Sequence, residues 1–193
     1  KEGKNIALVS DAGTPVISDP GEEIVQTALE KQIEVIPIPG PCALIAALIT
    51  SGIDAKEFLF LGFLPLNKKI RKEKLNIIKD SKQTTILYEA PHKLTQTLED
   101  LQEITNSRKI VLAREITKIH EEYITGTAKE LVEKIKEPKG EFVIVIEKNN
   151  EVDENIFENM SLDEHYKYYE NLRIWQKRNN KKYGITIPWY IMT

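Results

Sequence analysis

The sequence predicts an α/β fold on a mostly parallel sheet, and three features carry that expectation. Short apolar runs recur through the first 148 positions, longer segments with helical spacing separate them, and loops bearing Gly and Pro join the two. Runs apolar on both faces, alternating with helices, are the pattern of strands covered from both sides. The chain has 193 residues, room for one large domain or two small ones. It is 41% hydrophobic and 30% charged, with a mean hydropathy of -0.35. That balance excludes a wholly disordered chain.

The elements follow in order. Lys1, Glu2 and Gly3 read as the end of a helix closed by a C-cap glycine, so the sequence is expected to open inside a crossover and to be a fragment. Strands are predicted over 6–9, 33–38, 58–62, 84–88, 110–113 and 142–146, and helices over 22–31, 42–51, 70–81, 92–105 and 128–136. In the first helix Ile24, Val25, Ala28 and Leu29 form one stripe, as a helix covering a sheet requires. A domain boundary is placed near residue 56, dividing a first lobe over 1–56 from a second over 57–148. Residues 149–154 read as a linker, 160–172 as a helix with Leu162, Tyr166, Tyr169 and Leu172 along one side, and 173–193 as a tail without sustained period.

Composition narrows the function. The formal net charge is -3, from 27 basic and 30 acidic residues, so a globally basic nucleic-acid binder is not indicated. The apolar stretches at 42–49 and 58–66 fall short of the about 18 residues a membrane span needs, so no membrane partner is expected. Cys42 is the one cysteine, and with three scattered histidines it makes no metal cluster; a reducing, cytoplasmic setting follows.

Unusual residues fall at the predicted strand ends, where parallel α/β sheets bind ligands. The first such loop runs Ser10-Asp11-Ala12-Gly13-Thr14-Pro15-Val16-Ile17-Ser18-Asp19-Pro20-Gly21. It can offer backbone N–H and C=O groups to a flat polar ligand, or be an ordinary βα connection. It matches neither GxGxxG nor GxxxxGK[ST], so neither a NAD nor an ATP fold is inferred. Pro39-Gly40-Pro41-Cys42-Ala43 is a turn feeding a helix, its small residues permitting close approach; Cys42 reads as a nucleophile or, more simply, as a packed small residue. Tyr88-Glu89-Ala90-Pro91-His92 and Arg114-Glu115-Ile116-Thr117-Lys118 end two further strands, with His92 read as a surface residue at a helix start. Arg114 and Glu115 are either a structural bridge or functional. Lys139-Gly140-Glu141 enters the last strand. Lys68, Lys69, Arg71 and Lys72 form a basic run, either a solvated helix face or a contact for RNA phosphates. Lys177 to Lys182 is equally basic.

Taken in order, SDAGTPVISDPG, PIPGPCALIAAL, FLGFLP, LYEAPHKL, LAREITK and KGEFVIVIE resemble the ribosomal RNA small subunit methyltransferase I family of the tetrapyrrole methylase superfamily. The resemblance covers residues 1–148. It implies a two-lobed tetrapyrrole-methylase-like fold whose first lobe is incomplete here, and S-adenosyl-L-methionine-dependent methylation of the ribose 2′-hydroxyl of a cytidine in 16S ribosomal RNA. It also implies a small-ribosomal-subunit substrate and a homodimer. By motif, Asp11, Ala12, Gly13, Thr14 and Pro15 with Pro39, Gly40, Pro41, Cys42 and Ala43 would line the donor pocket from the first lobe. Gly62, Phe63 and Tyr88 would face it from the second. Glu89, Glu115 and Lys118 are candidates for chemistry, with Glu89 or Lys118 as proton acceptor, and Arg114 could hold a phosphate or orient Glu115. The sequence departs from the family by lacking its N-terminal stretch and by a tail bearing Asn, Tyr and Trp where Lys and Ala are usual. Two other readings remain: a methyltransferase of the same fold acting on a tetrapyrrole or another small molecule, and an inert or merely RNA-binding fragment.

Overall fold

The structure is a computed structural model, and it describes residues 3–150 together with Ser161, Asp163, Glu164, Tyr166, Lys167, Glu170 and Asn171. The expectations for Lys1 and Glu2, the linker after 150, the basic run 177–182 and the tail lie outside the described residues. Contacts divide the chain into two units, Lys1–Asn149 and Asn150–Thr193. In the second unit the described residues from Asp163 to Asn171 are helical, and Ser161 caps them, its hydroxyl 2.8 Å from Glu164 Oε2.

Within the first unit the elements run α1 (Glu22–Glu30), α2 (Ala43–Thr50), β1 (Phe58–Phe63), α3 (Lys68–Asp80), β2 (Thr84–Glu89), α4 (Pro91–Thr105), β3 (Ile110–Arg114), β4 (Glu122–Gly126), α5 (Ala128–Lys134) and β5 (Phe142–Ile146). All five predicted helices are present, with ends shifted by up to two residues. Local capping explains several boundaries. Asn67 accepts N–H bonds from Lys69 and Ile70 at the start of α3, Pro91 opens α4, and Thr127 with Glu130 forms a capping box before α5.

The strands form one sheet in the order β1-β2-β5-β3-β4. The α/β class holds, but the mostly parallel arrangement does not: only β1 and β2 pair in parallel, while β2–β5, β5–β3 and β3–β4 are antiparallel. Two physical reasons account for this. The connection over 115–121 is shorter than the dozen or so residues a parallel crossover needs, so β3 and β4 make a hairpin. The crossovers β2-α4-β3 and β4-α5-β5 do join strands of one direction, yet β5 inserts between β2 and β3 from the other. Phe142–Ile146 is buried at every position, and a strand covered on both faces carries no mark of its direction. β4 is a strand the sequence reading lacked. Its residues Glu122, Tyr123, Ile124, Thr125 and Gly126 lie mostly open along one edge.

Alternation across the pleat sends residues to two faces. One carries Leu87, Leu112, Phe142 and Ile144 against Ile78, Leu94, Leu98 and Leu131 of α3, α4 and α5. The other carries Ile86, Val111, Ala113, Val143 and Val145 against Leu44, Ala47 and Leu48 of α2. The strands expected over 6–9 and 33–38 are not formed: they enter no ladder, and Val9 and Ile38 are 81% and 80% exposed. An extended segment becomes a strand only when a neighbour takes its N–H and C=O groups, and no described residue does so. The stripe on α1 likewise covers no sheet; none of its residues is buried.

Candidate functional site

Because β1, β2 and β3 all run in one direction, their ends gather along one edge of the sheet. Phe63 pairs with Tyr88, Glu89 and Arg114 both pair with Phe142, and Arg114 pairs with Glu122. Three of the sequence motifs therefore end on neighbouring rows, and the faces of the sheet then separate their side chains.

On the α2 face, Tyr88 is the centre. Its ring meets Phe60 edge-on at 4.9 Å and Phe63 at 5.7 Å between centroids. Its hydroxyl oxygen accepts the Leu44 N–H at 3.2 Å, so the start of α2 rests on the end of β2. Burial, and after it the neighbouring Cys42, push the Tyr88 hydroxyl up to about 12, with the Leu44 N–H acting against them. Tyr88 is therefore a neutral phenol at physiological pH. Cys42 is the half-buried N-cap of α2.

The same neighbourhood receives the two loops of the first segment. The Thr14 N–H and hydroxyl both donate to Pro41 O, at 2.9 and 3.0 Å. Gly13 lies so close to that carbonyl that a Cβ would stand 2.9 Å from it, at a φ of +82° that disfavours any side chain. Gly40 abuts Thr14 Oγ1, and Gly62 abuts Ser18 Oγ. Gly13, Thr14, Gly40, Pro41, Cys42, Gly62, Phe63 and Tyr88 are thus brought together, with Pro15, Pro39 and Ala43 flanking them in the chain. Asp11 and Ala12 are exposed at the start of the first loop.

Glu89 goes the other way. It is 2% exposed on the α4 face, with Oε1 accepting the Ala90 N–H at 3.0 Å and Oε2 accepting the Thr97 hydroxyl at 2.6 Å. Thr97 Oγ1 in turn accepts from Arg71 Nη2 at 2.9 Å, and Arg71 Nε donates to Asp100 at 2.7 Å. Glu89 and Arg71 are joined in an interior network, away from the Tyr88 face. Lys68, Lys69 and Lys72 remain exposed on the first turns of α3. Neighbours in sequence diverge here because pleat and helix periods turn Arg71 inward while leaving the three lysines outside.

Arg114, Glu115 and Lys118 occupy the hairpin side of the edge. Arg114 Nη1 donates to Glu122 at 3.2 Å, so its bridge is to the strand opposite rather than to Glu115. Lys118 Nζ donates to Glu115 Oε1 and Glu141 Oε2, each at 2.9 Å. Glu115 Oε1 also accepts the Glu141 N–H at 2.9 Å, and the Glu115 N–H donates to Glu141 O at 3.0 Å. The Glu141 N–H first, and Lys118 second, hold the Glu115 carboxyl below its usual range. Glu115, then Glu141, hold the Lys118 ammonium above its own. Lys118 is thus a cation at neutral pH. Glu115 and Thr117 have φ of +49° and +68°, a conformation uncommon for side-chain-bearing residues and concentrated at functional turns.

This geometry assigns a place to Lys139-Gly140-Glu141, which taken alone reads only as a hairpin or a strand entry. Gly140, at φ +86°, passes beneath Glu115, where a Cβ would collide with Glu115 Cγ and Cδ. Glu141 completes the pair of carboxylates around Lys118. The missed signal was the glycine itself, a residue that such an approach requires. Ser18 and Leu44 lie inside the quoted motifs, but their contacts with Gly62 and Tyr88 come only through folding. Among the described residues no cluster of His, Cys, Asp and Glu has metal-ligand geometry.

Comparison with known proteins bears on this arrangement. The family model described as Tetrapyrrole (Corrin/Porphyrin) Methylases matches residues 1–132. The chain is 44% identical over 191 residues to the Bacillus subtilis protein named Ribosomal RNA small subunit methyltransferase I, covering 96% of this chain and 65% of that one. The methyltransferase CobJ superposes with a TM-score of 0.55 at 20% identity, over 70% of this chain and 62% of the other. A uroporphyrin-III C-methyl transferase from Thermus thermophilus complexed with S-adenyl homocysteine superposes with a TM-score of 0.50 at 15% identity, over 70% and 62%. These structures share the fold. The chain spans about half to two thirds of the length of the curated relatives it matches. The chain belongs to the tetrapyrrole (corrin/porphyrin) methylase family and, within it, groups with the ribosomal RNA small subunit methyltransferase I proteins.

Proposed function

We propose that this protein transfers a methyl group from S-adenosyl-L-methionine to the ribose 2′-hydroxyl of a cytidine in 16S ribosomal RNA. The observation that carries the reading is the meeting of the Gly13–Pro41 loops, the start of α2 and Tyr88 at the ends of β1 and β2. Support comes from relatives named for the small-subunit RNA and from a fold neighbour complexed with S-adenyl homocysteine. The likeness to CobJ, at 20% identity, supports the fold and not a corrinoid substrate.

The lining suits the donor. Gly13 and Gly40 let the two loops close on each other where a Cβ would intrude, and a neutral Tyr88 tolerates a positive sulfur nearby. Residues 11–15 and 39–43, with Gly62, Phe63 and Tyr88, would hold it. When bound, the donor supplies a methyl group on a positively charged sulfur, open to in-line attack by an oxygen. The protein's part is to fix that line and to keep water out, since alignment supplies much of the acceleration in such a transfer. Glu89 is enclosed, with each carboxylate oxygen engaged by an interior donor, and Lys118 is already protonated. In this reading Glu115 takes the hydroxyl proton through Oε2, while Lys118 neutralises the incoming strand and Arg114 binds its phosphate. Lys68, Lys69 and Lys72 extend the basic surface along α3. The two lobes meeting near residue 56, a homodimer, the small ribosomal subunit as the form of the substrate and a cytoplasmic location belong to the same proposal. No helix among the described residues is long and apolar enough to cross a membrane.

The test is transfer of a labelled methyl group from S-adenosyl-L-methionine to small-subunit RNA, followed by partial alkaline hydrolysis. A ribose methyl group removes the hydroxyl that cleaves the chain, so a single gap at a cytidine is expected in the ladder. Label without a gap would place the methyl group on a base and overturn the ribose assignment. No label with RNA, but turnover of a tetrapyrrole, would overturn the substrate.

A further inference from the structure

On the α5 side of the sheet edge, opposite Tyr88, lies a cavity of about 250 Å³ that the motifs did not foretell. Arg114, Lys134 and Lys136 line it together with Glu122 and Glu137. Its cations are poorly matched by these two acids. Lys134 Nζ gives one of its three N–H donors to a backbone carbonyl, Thr125 O at 3.2 Å, and keeps its charge, while Glu137 is drawn toward Lys139 at 3.7 Å. Lys136 is exposed at the rim, with no carboxylate partner among the described residues. Arg114 is more telling. Its Nη1 makes the single long bond to Glu122, while its Nε is shut away from solvent without an acceptor among the described residues. Because no solvent-sized atom reaches Nε, a ligand in the cavity meets Arg114 through the rest of its guanidinium, on a side chain 27% exposed.

We propose that this cavity binds a backbone phosphate of the RNA strand, with Arg114 donating from inside and Lys136 and Lys134 closing over it from the end of α5. Phosphate suits the site because guanidinium and ammonium groups recognise its several oxygens at once, and the space exceeds that of a bare carboxylate. The strand would then pass around the sheet edge, anchored on the α5 face while its sugar reaches the Tyr88 face past Glu115. This inference rests on the RNA reading above, and its test separates the two.

The probes are inorganic phosphate and a short single-stranded RNA, each titrated into the full chain. Phosphate is expected to shift the Arg114 Nε resonance, and Lys136→Gln to weaken that response. For RNA, anisotropy across a salt series should give a slope of log affinity on log salt that falls by about 0.7 in Lys136→Gln, one phosphate contact on a single strand. Lys79→Gln, at the far end of α3, should leave the slope unchanged. No phosphate response together with an unchanged RNA slope in Lys136→Gln overturns the site. A phosphate response lost in Lys136→Gln, with no binding of RNA by the native chain, keeps the phosphate site and overturns the RNA reading instead.

Discussion

Residues 3–42 and the sheet that begins at Phe58 are written in the same vocabulary and end in opposite states. Both contain short runs rich in Ile and Val. In the sheet those runs are enclosed, with Ile86, Leu112 and Ile144 wholly buried between helices. In the first segment Ile6, Val9, Ile36 and Ile38 face outward and pair with nothing among the described residues. An apolar run therefore encodes a demand for a partner rather than a strand. Its loops nevertheless hold their places, because Thr14, Gly13 and Pro41 satisfy one another and Tyr88 anchors the start of α2.

The widest test of that contrast is paired truncation. Leu112→Ala should cost about 2–5 kcal/mol, the range for emptying a filled core position. Ile36→Ala, at a side chain 68% exposed, should stay within about 0.5 kcal/mol. Urea unfolding of the two variants beside the native chain measures both. Comparable losses would mean that the first segment is packed as tightly as the sheet, and the comparison would fail.

Next in size is the polar interior beneath the sheet. Thr97→Val keeps the shape but removes the hydroxyl that Glu89 Oε2 accepts, so a buried carboxylate oxygen loses its donor. A loss of about 1–3 kcal/mol is expected from the same unfolding experiment. Stability within 0.5 kcal/mol of the native chain would show that Glu89 is not held by this bond. Gly140→Ala should follow at about 1–2 kcal/mol, the cost of placing a side chain in the left-handed region. Its Cβ also meets Glu115, so methyl transfer should drop further than stability does. Activity that merely tracks stability would remove the turn from the site.

How much of this was legible follows from the same physics. Helix starts such as Asn67, Pro91 and Thr127 announce themselves because capping is local. The motifs at the strand ends were visible as Gly, Pro and charged residues where a buried strand should stop. Strand direction was not, since Phe142–Ile146 is apolar at each position. β4 escaped because Tyr123, Ile124 and Thr125, although good strand residues, sit in an acidic loop context and pair only at an edge. The sorting of Glu89 from Tyr88 to opposite faces follows from the pleat, but which face bears the site depends on where α2 docks. That docking is set by a contact 44 positions apart in sequence, Leu44 with Tyr88, which no local pattern encodes.

Last comes the turn at the exposed edge of the sheet, where order is maintained by charge rather than burial. Lys118 has its proton affinity raised by Glu115 and Glu141, so its contribution is present at neutral pH and lost as pH rises through a value above the usual lysine range. Glu115 has its affinity lowered, so its contribution is also present at neutral pH and lost as pH falls through a value below the usual glutamate range. Removing the cation in Lys118→Met should therefore move the Glu115 carboxyl midpoint upward, followed by its carbon resonance during titration. The return should be incomplete, because the larger cause is the Glu141 N–H, which the variant retains at 2.9 Å. A midpoint restored fully to that of a free glutamate would mean that Lys118, not the backbone of the Gly140 turn, holds the carboxylate in place. Exposed pairs of this kind contribute little to global stability, so unfolding curves of Lys118→Met and the native chain should nearly coincide at neutral pH. A large loss there would show that the hairpin edge is built into the core around the sheet, and that the division between enclosed sheet and surface turn is drawn in the wrong place.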